Sequence, residues 1–102
     1  MAATYRIVFT PEARDQLVHL HNHIATAADH DTASGFVNGI LDHVAALHAF
    51  PNRGTPRDDL RTGLRTLAWR RRVTIAYMVE DKTVVVIGVF YGGRDFETLI
   101  EG

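Results

Sequence analysis

Two long β-rich runs near the C-terminus, residues 72–80 and 83–91, constrain the fold of this chain most; only Asp81-Lys82 separates them. Runs of that length and spacing read as an antiparallel hairpin closed by a tight turn. In the first run Val73, Ile75, Tyr77 and Val79 fall on one face. The second is apolar almost throughout, as suits a strand with neighbours on both sides. A loop over residues 52–62 and a short strand over 64–67 precede the hairpin. Trp69 and Tyr77 read as packing residues.

A sheet with an apolar face needs cover, and the first half of the chain supplies it. Tyr5, Ile7 and Phe9 alternate as a short opening strand. Thr10-Pro11-Glu12 then combines a capping hydroxyl, a proline suited to the first helical position and an acid that complements the helix dipole. Ala13, Leu17, Leu20, Ile24 and Ala28 recur at helical spacing. After a break over 28–31, Asp31 or Thr32 is the expected cap of a second helix. Its stripe is Ala33, Phe36, Val37, Ile40, Leu41, Val44 and Leu47, and it ends by Phe50-Pro51. The tail over 95–102 is expected to add a helical turn. The order is β-α-α-β-β-β: an α+β fold, a helical hairpin packed on a small antiparallel sheet, in a single domain over residues 1–102.

The chain has no cysteine, so it has no disulfide framework and no thiolate metal site. Without a signal-peptide pattern or an apolar run of roughly 20 residues, the expectation is a soluble, cytoplasmic protein with no membrane partner. No Gly-rich phosphate loop occurs, and no cofactor is expected. His19 and His23 have the i, i+4 spacing of a helical metal pair, but no third ligand is apparent, and they read as solvated residues.

Charge is distributed unevenly. Residues 1–52 hold two cationic against five acidic groups, net −3, whereas residues 53–102 hold nine against seven, net +2. Seven of the eleven basic residues fall between Arg53 and Arg72, a cluster that suits an acidic partner. In an alternating strand Arg70 and Arg72 would share a face while Arg71 points away.

Five segments in order carry a resemblance: Thr10-Pro11-Glu12-Ala13 after the opening strand, Phe50-Pro51-Asn52-Arg53-Gly54, Gly63-Leu64-Arg65, the strand over 72–79, and Gly92-Gly93-Arg94-Asp95 after the last strand. The chain resembles the RelE/ParE superfamily, the toxins of type II toxin–antitoxin modules. The resemblance implies the topology derived above. It also implies a cognate antitoxin, whose disordered C-terminal segment folds on the toxin with apolar anchors and acids on arginines.

Two activities occur in that superfamily. RelE-like members are ribosome-dependent mRNA endonucleases, and ParE-like members poison DNA gyrase. Metal-free RNA cleavage needs a group that activates the 2′-hydroxyl, cations on the developing charge and a proton donor. The resemblance places Arg65 and Arg94 at the cationic positions of the nuclease branch. The tyrosine that branch carries after the last strand is missing from Asp95-Phe96-Glu97-Thr98. Its paired lysines are replaced by Arg57-Asp58-Asp59-Leu60-Arg61, and the His-Tyr pair of another subgroup reads Phe90-Tyr91. Tyr91-Gly92-Gly93-Arg94-Asp95 looks more like the ParE ending. The implied reading is a gyrase-inhibiting toxin, the alternative a ribosome-dependent nuclease. Candidate target- or antitoxin-binding residues are Arg61, Arg65, Arg70, Arg72, Tyr91 and Arg94. For the nuclease alternative the set is Arg65, Arg72, Tyr91 and Arg94.

Overall fold

A computed structural model describes residues 4–92. Its elements are β1 (Arg6–Phe9), α1 (Pro11–Ala27), α2 (His30–Ala45) prolonged by a 3-10 turn (Ala46–His48), β2 (Thr55–Pro56), β3 (Leu64–Trp69), β4 (Val73–Glu80) and β5 (Thr83–Tyr91). The helical turn expected over 95–102 lies outside the described residues.

The expected helices and hairpin are present. Thr10 caps α1, its Oγ1 accepting from Ala13 N–H at 3.2 Å, with Pro11 as the first helical residue. Asp81 and Lys82, at φ 45° and 59°, form the tight turn between β4 and β5. β2 is an addition, a two-residue strand that borders β3.

The sheet order is β1-β5-β4-β3-β2. It is antiparallel from β5 to β2, but β1 pairs parallel with β5, so the all-antiparallel expectation is corrected at that edge. β5 is apolar on both faces and takes a neighbour on its outer side. Arg6 N–H donates to Lys82 O (2.9 Å) and Thr10 N–H to Val86 O (3.0 Å). The direction of β1 follows from α1, which starts at once beyond it and packs over β5.

One irregularity in β5 sets which side chains meet the helices. Ala76 pairs with Gly88 but Tyr77 pairs with Val86, so β5 carries one extra residue. This bulge shifts the alternation, and Val84, Val86, Val89 and Tyr91 all reach the helix side. The helix secures it: Gln16 Oε1 accepts Val89 N–H at 2.7 Å, and Thr10 Oγ1 donates to Ile87 O at 3.4 Å.

The main core joins Ala13, Leu20, Ile40, Val44 and Leu47 to Trp69, Val73, Ile75, Tyr77, Val84 and Val86, with Tyr5, Ile7 and Phe9 packed against it. Ala28, expected to extend the α1 stripe, is exposed and ends the helix with non-helical backbone. The opposite sheet face gathers Leu64, Ala76 and Phe90 with Leu60, Met78 and Ile87.

α2 is capped by Asp29 rather than by Asp31 or Thr32, and its carboxylate accepts Thr32 N–H at 2.7 Å. His30 and Asp31 are already helical, so the helix starts two or three residues earlier than expected. The hydrogen bonds from Thr32 hold the Asp29 carboxyl below its ordinary pKa. A folded-state value below the unfolded one contributes stability above the unfolded pKa, and this is lost as pH falls through the folded value. Asp29→Ala should therefore lower the melting temperature at neutral pH, with the gap to wild type narrowing at an acid pH below the ordinary carboxylate range. Thermal melts followed by circular dichroism would check this; an equal gap at both pH values would refute it.

Candidate interaction surface

The arginine-rich half of the chain builds two separate structures at opposite ends of β3. At the β2 end, Tyr77 and Arg65 are cross-strand partners on the helix-facing side. Together they hold the loop that follows the 3-10 turn. Tyr77 O–H donates to Pro51 O (2.8 Å) and accepts from Gly54 N–H (2.8 Å). Arg65 Nη1 donates to Asn52 O (3.0 Å) and Gly54 O (2.7 Å). Tyr77 is fully buried, and burial pushes its phenol pKa up, so at neutral pH it stays a donor. A Cβ on Gly54 would sit 2.7 Å from that hydroxyl and 2.8 Å from Thr66 O, so the loop closes only over a glycine.

The loop held this way leaves Phe50 66% exposed. Ala49, Phe50, Pro51, Asn52 and Arg53 line a shallow depression of 640 Å³. In the sequence Phe50-Pro51 marks only the end of the second helix, so Phe50 carries no signal there as a surface residue. The neighbouring loop is ordered by its own charges: Arg57 makes a bidentate pair with Asp59 (3.0 Å for each bond), and Asp58 Oδ1 accepts Gly63 N–H at 2.8 Å.

At the other end of β3, Arg70-Arg71-Arg72 is a turn, not the start of an alternating strand. Arg70 and Arg71 have φ of 50° and 58°, and Arg72 N–H closes the turn on Trp69 O at 3.2 Å. The expectation that Arg70 and Arg72 share a strand face is thereby corrected. All three side chains are exposed, and the Arg70 guanidinium lies 4.6 Å over the Trp69 ring. Trp69 in turn meets Phe36 edge-to-face at 4.7 Å.

Tyr91 pairs with Val73 beside this turn. It is half-buried, its ring 5.9 Å from Phe36 and 6.1 Å from His23. A pocket of 290 Å³ lined by Gln16, His19, Leu20, His23, Val89 and Tyr91 opens there. His19 Nδ1 is hydrogen-bonded to Asp15 O at 2.9 Å, and among the described residues no group of three ligating side chains forms.

The five described candidate residues therefore do not converge. Arg65 is committed to loop carbonyls, and Arg61 is exposed on the same side. Tyr91, Arg70 and Arg72 lie at or beyond the far end of β3, at least four residues or about 13 Å along the strand. Arg94 lies outside the described residues.

A family model described as the ParE toxin of the type II toxin–antitoxin system parDE matches residues 7–96. The chain belongs to the ParE toxin family. It is thus the toxin component of a type II toxin–antitoxin system in the wider RelE/ParE group. Among curated proteins no relative matches. The chromosomal ParDE toxin–antitoxin system of P. aeruginosa contains a chain of the same fold, 21% identical, with a TM-score of 0.78, covering 89% of this chain and 99% of that one. The toxin–antitoxin complex RelBE2 from Mycobacterium tuberculosis contains another, 28% identical, with a TM-score of 0.54 over 86% of this chain and 98% of that one. The ParE match spans both ends of β3 as well as Arg94. No described helix of this ParE-family chain is long and apolar enough to cross a membrane.

Proposed function

We propose that this ParE-family toxin acts by binding and inhibiting DNA gyrase, and that a cognate antitoxin neutralises it through a C-terminal segment that folds on the toxin surface. The observation that carries the gyrase reading is the commitment of the nuclease candidates. Arg65 is spent on Asn52 O and Gly54 O, while Tyr91 packs against Phe36 about 13 Å along the sheet. Acid–base cleavage of RNA requires its groups within hydrogen-bond reach of one scissile phosphate. A protein-binding toxin has no such requirement. Exposed Phe50, with exposed Arg53 and Arg61 at the same end of the sheet, suits an antitoxin segment with apolar anchors and acids.

The purified toxin should inhibit gyrase supercoiling, and its expression without antitoxin should raise a DNA-damage response. Ribosome-dependent mRNA cleavage without supercoiling inhibition, abolished by Tyr91→Phe or Arg94→Ala, would replace this reading with the nuclease one.

A further inference from the structure

The Arg70-Arg71-Arg72 turn does more than connect two strands. The β3–β4 connection spans Arg70 to Arg72 between the paired Trp69 and Val73, and a β-turn whose two central residues both have positive φ is filled at least cost by Asn-Gly or Asp-Gly. Among the described residues the Asp81-Lys82 turn follows that preference in part, with Asp81 at its first position. Here both positions are arginine, at φ 50° and 58°, a backbone that L-residues with long side chains rarely adopt. Arginine contributes nothing to the turn geometry, so the gain lies in the guanidinium groups. Among the described residues no carboxylate pairs with Arg70, Arg71 or Arg72. Trp69, itself only 8% exposed, supports Arg70 from beneath, so that guanidinium is positioned rather than free. Gly92 N–H donates to Arg72 O at 2.9 Å and fixes the turn against the end of β5.

A supported cluster of three guanidinium groups binds an anion, and the surroundings indicate which kind. Protein-binding hot spots combine charge with an apolar anchor. The exposed large apolar residues among those described are Val18 and Phe50. Phe50 belongs to the loop held by Arg65 at the opposite end of β3, and Val18 lies on α1. The turn is charge without an anchor, and planar guanidinium forks match phosphate oxygens. We propose that the Arg70-Arg71-Arg72 turn grips the phosphate backbone of duplex DNA. That the duplex is one held by gyrase rests on the reading above; the phosphate contact itself does not.

The test uses the full chain and a fluorescent DNA duplex in anisotropy titrations. Two to three phosphate contacts predict that wild-type affinity falls about 10- to 40-fold between 50 and 200 mM salt. The double variant Arg70→Asn/Arg71→Gly suits the turn better than the native pair. It should melt at a higher temperature yet bind the duplex at least about tenfold more weakly. Arg72→Gln, outside the positive-φ pair, should weaken binding with the melting temperature unchanged. The proposal is overturned if wild type fails to bind at low salt, or if the double variant binds as tightly as wild type. Loss of binding together with a lower melting temperature would also overturn it, as would equal displacement by poly-glutamate, which would indicate a protein partner. Duplex binding without supercoiling inhibition would sink the gyrase reading and leave the phosphate site standing.

Discussion

Gly54→Ala should destabilise the fold by on the order of 2–5 kcal/mol, combining overpacking with the loss of a buried hydrogen bond. For a domain of this size the whole stability is about 5–15 kcal/mol, so the effect is a large fraction of it. The new methyl would meet Tyr77 Oη at 2.7 Å and Thr66 O at 2.8 Å. The first contact is the end of a side chain, but that side chain is fully buried and already engaged with Pro51 O. The second is backbone in the middle of β3 and cannot move without disturbing the sheet. The loop would have to lift, which breaks the Tyr77 bond to Gly54 N–H and the Arg65 bond to Gly54 O together. Tyr77→Phe separates the contributions, since it removes the hydroxyl bonds but adds no atom; about 1–3 kcal/mol is expected. Combining the two substitutions relieves the clash with Oη but not that with Thr66 O, so the double variant should remain clearly less stable than Tyr77→Phe alone. Urea unfolding midpoints at constant slope would measure all three. A Gly54→Ala midpoint indistinguishable from wild type would show that the loop is not closed over this glycine.

This loop also shows where sequence reading reaches its limit. The helical stripes, the Thr10 cap and the turn at Asp81-Lys82 depend on spacing within one element, and they were legible. The role of Arg65 depends on a loop residue 13 positions earlier folding back against it. Nothing in a one-strand pattern carries that, so the bonds Arg65 makes to the loop had no sequence signal. The parallel pairing of β1 with β5 is likewise non-local, joining Arg6 to Thr83. The Arg70-Arg71-Arg72 turn was hidden for a different reason: it contains no Gly, Asn, Asp or Pro, so its positive φ angles had no residue-type signal. A signal for the β5 bulge did exist. Gly88 interrupts an otherwise β-branched and aromatic run, and an isolated glycine in a strand often marks a bulge. Tyr91 reaches the helix side through that bulge, which is why this candidate binding residue is half-buried.

Trp69→Ala is the second large effect expected, about 3–5 kcal/mol. The indole fills the junction between α2 and the β3–β4 turn, against Phe36 on one side and beneath Arg70 on another. Gly39 makes room for it: a Cβ there would lie 2.5 Å from Trp69 Cζ2. Gly39→Ala alone should therefore cost about 1–3 kcal/mol through overpacking, despite the better helix propensity of alanine. If indole and helix compete for the same space, the two substitutions cannot be additive. With the indole gone, the new methyl at position 39 enters the void instead of clashing, and the helix gains its propensity term. The double variant should then be more stable than the sum of the single effects predicts, by about 0.5–3 kcal/mol. A double-mutant cycle in urea would read this directly, and strict additivity would refute the contact. The same cycle bears on the arginine turn, because Arg70 loses its supporting ring in both variants that lack the indole. Duplex affinity should fall in those two and hold in Gly39→Ala, in which the ring and the three guanidinium groups are retained.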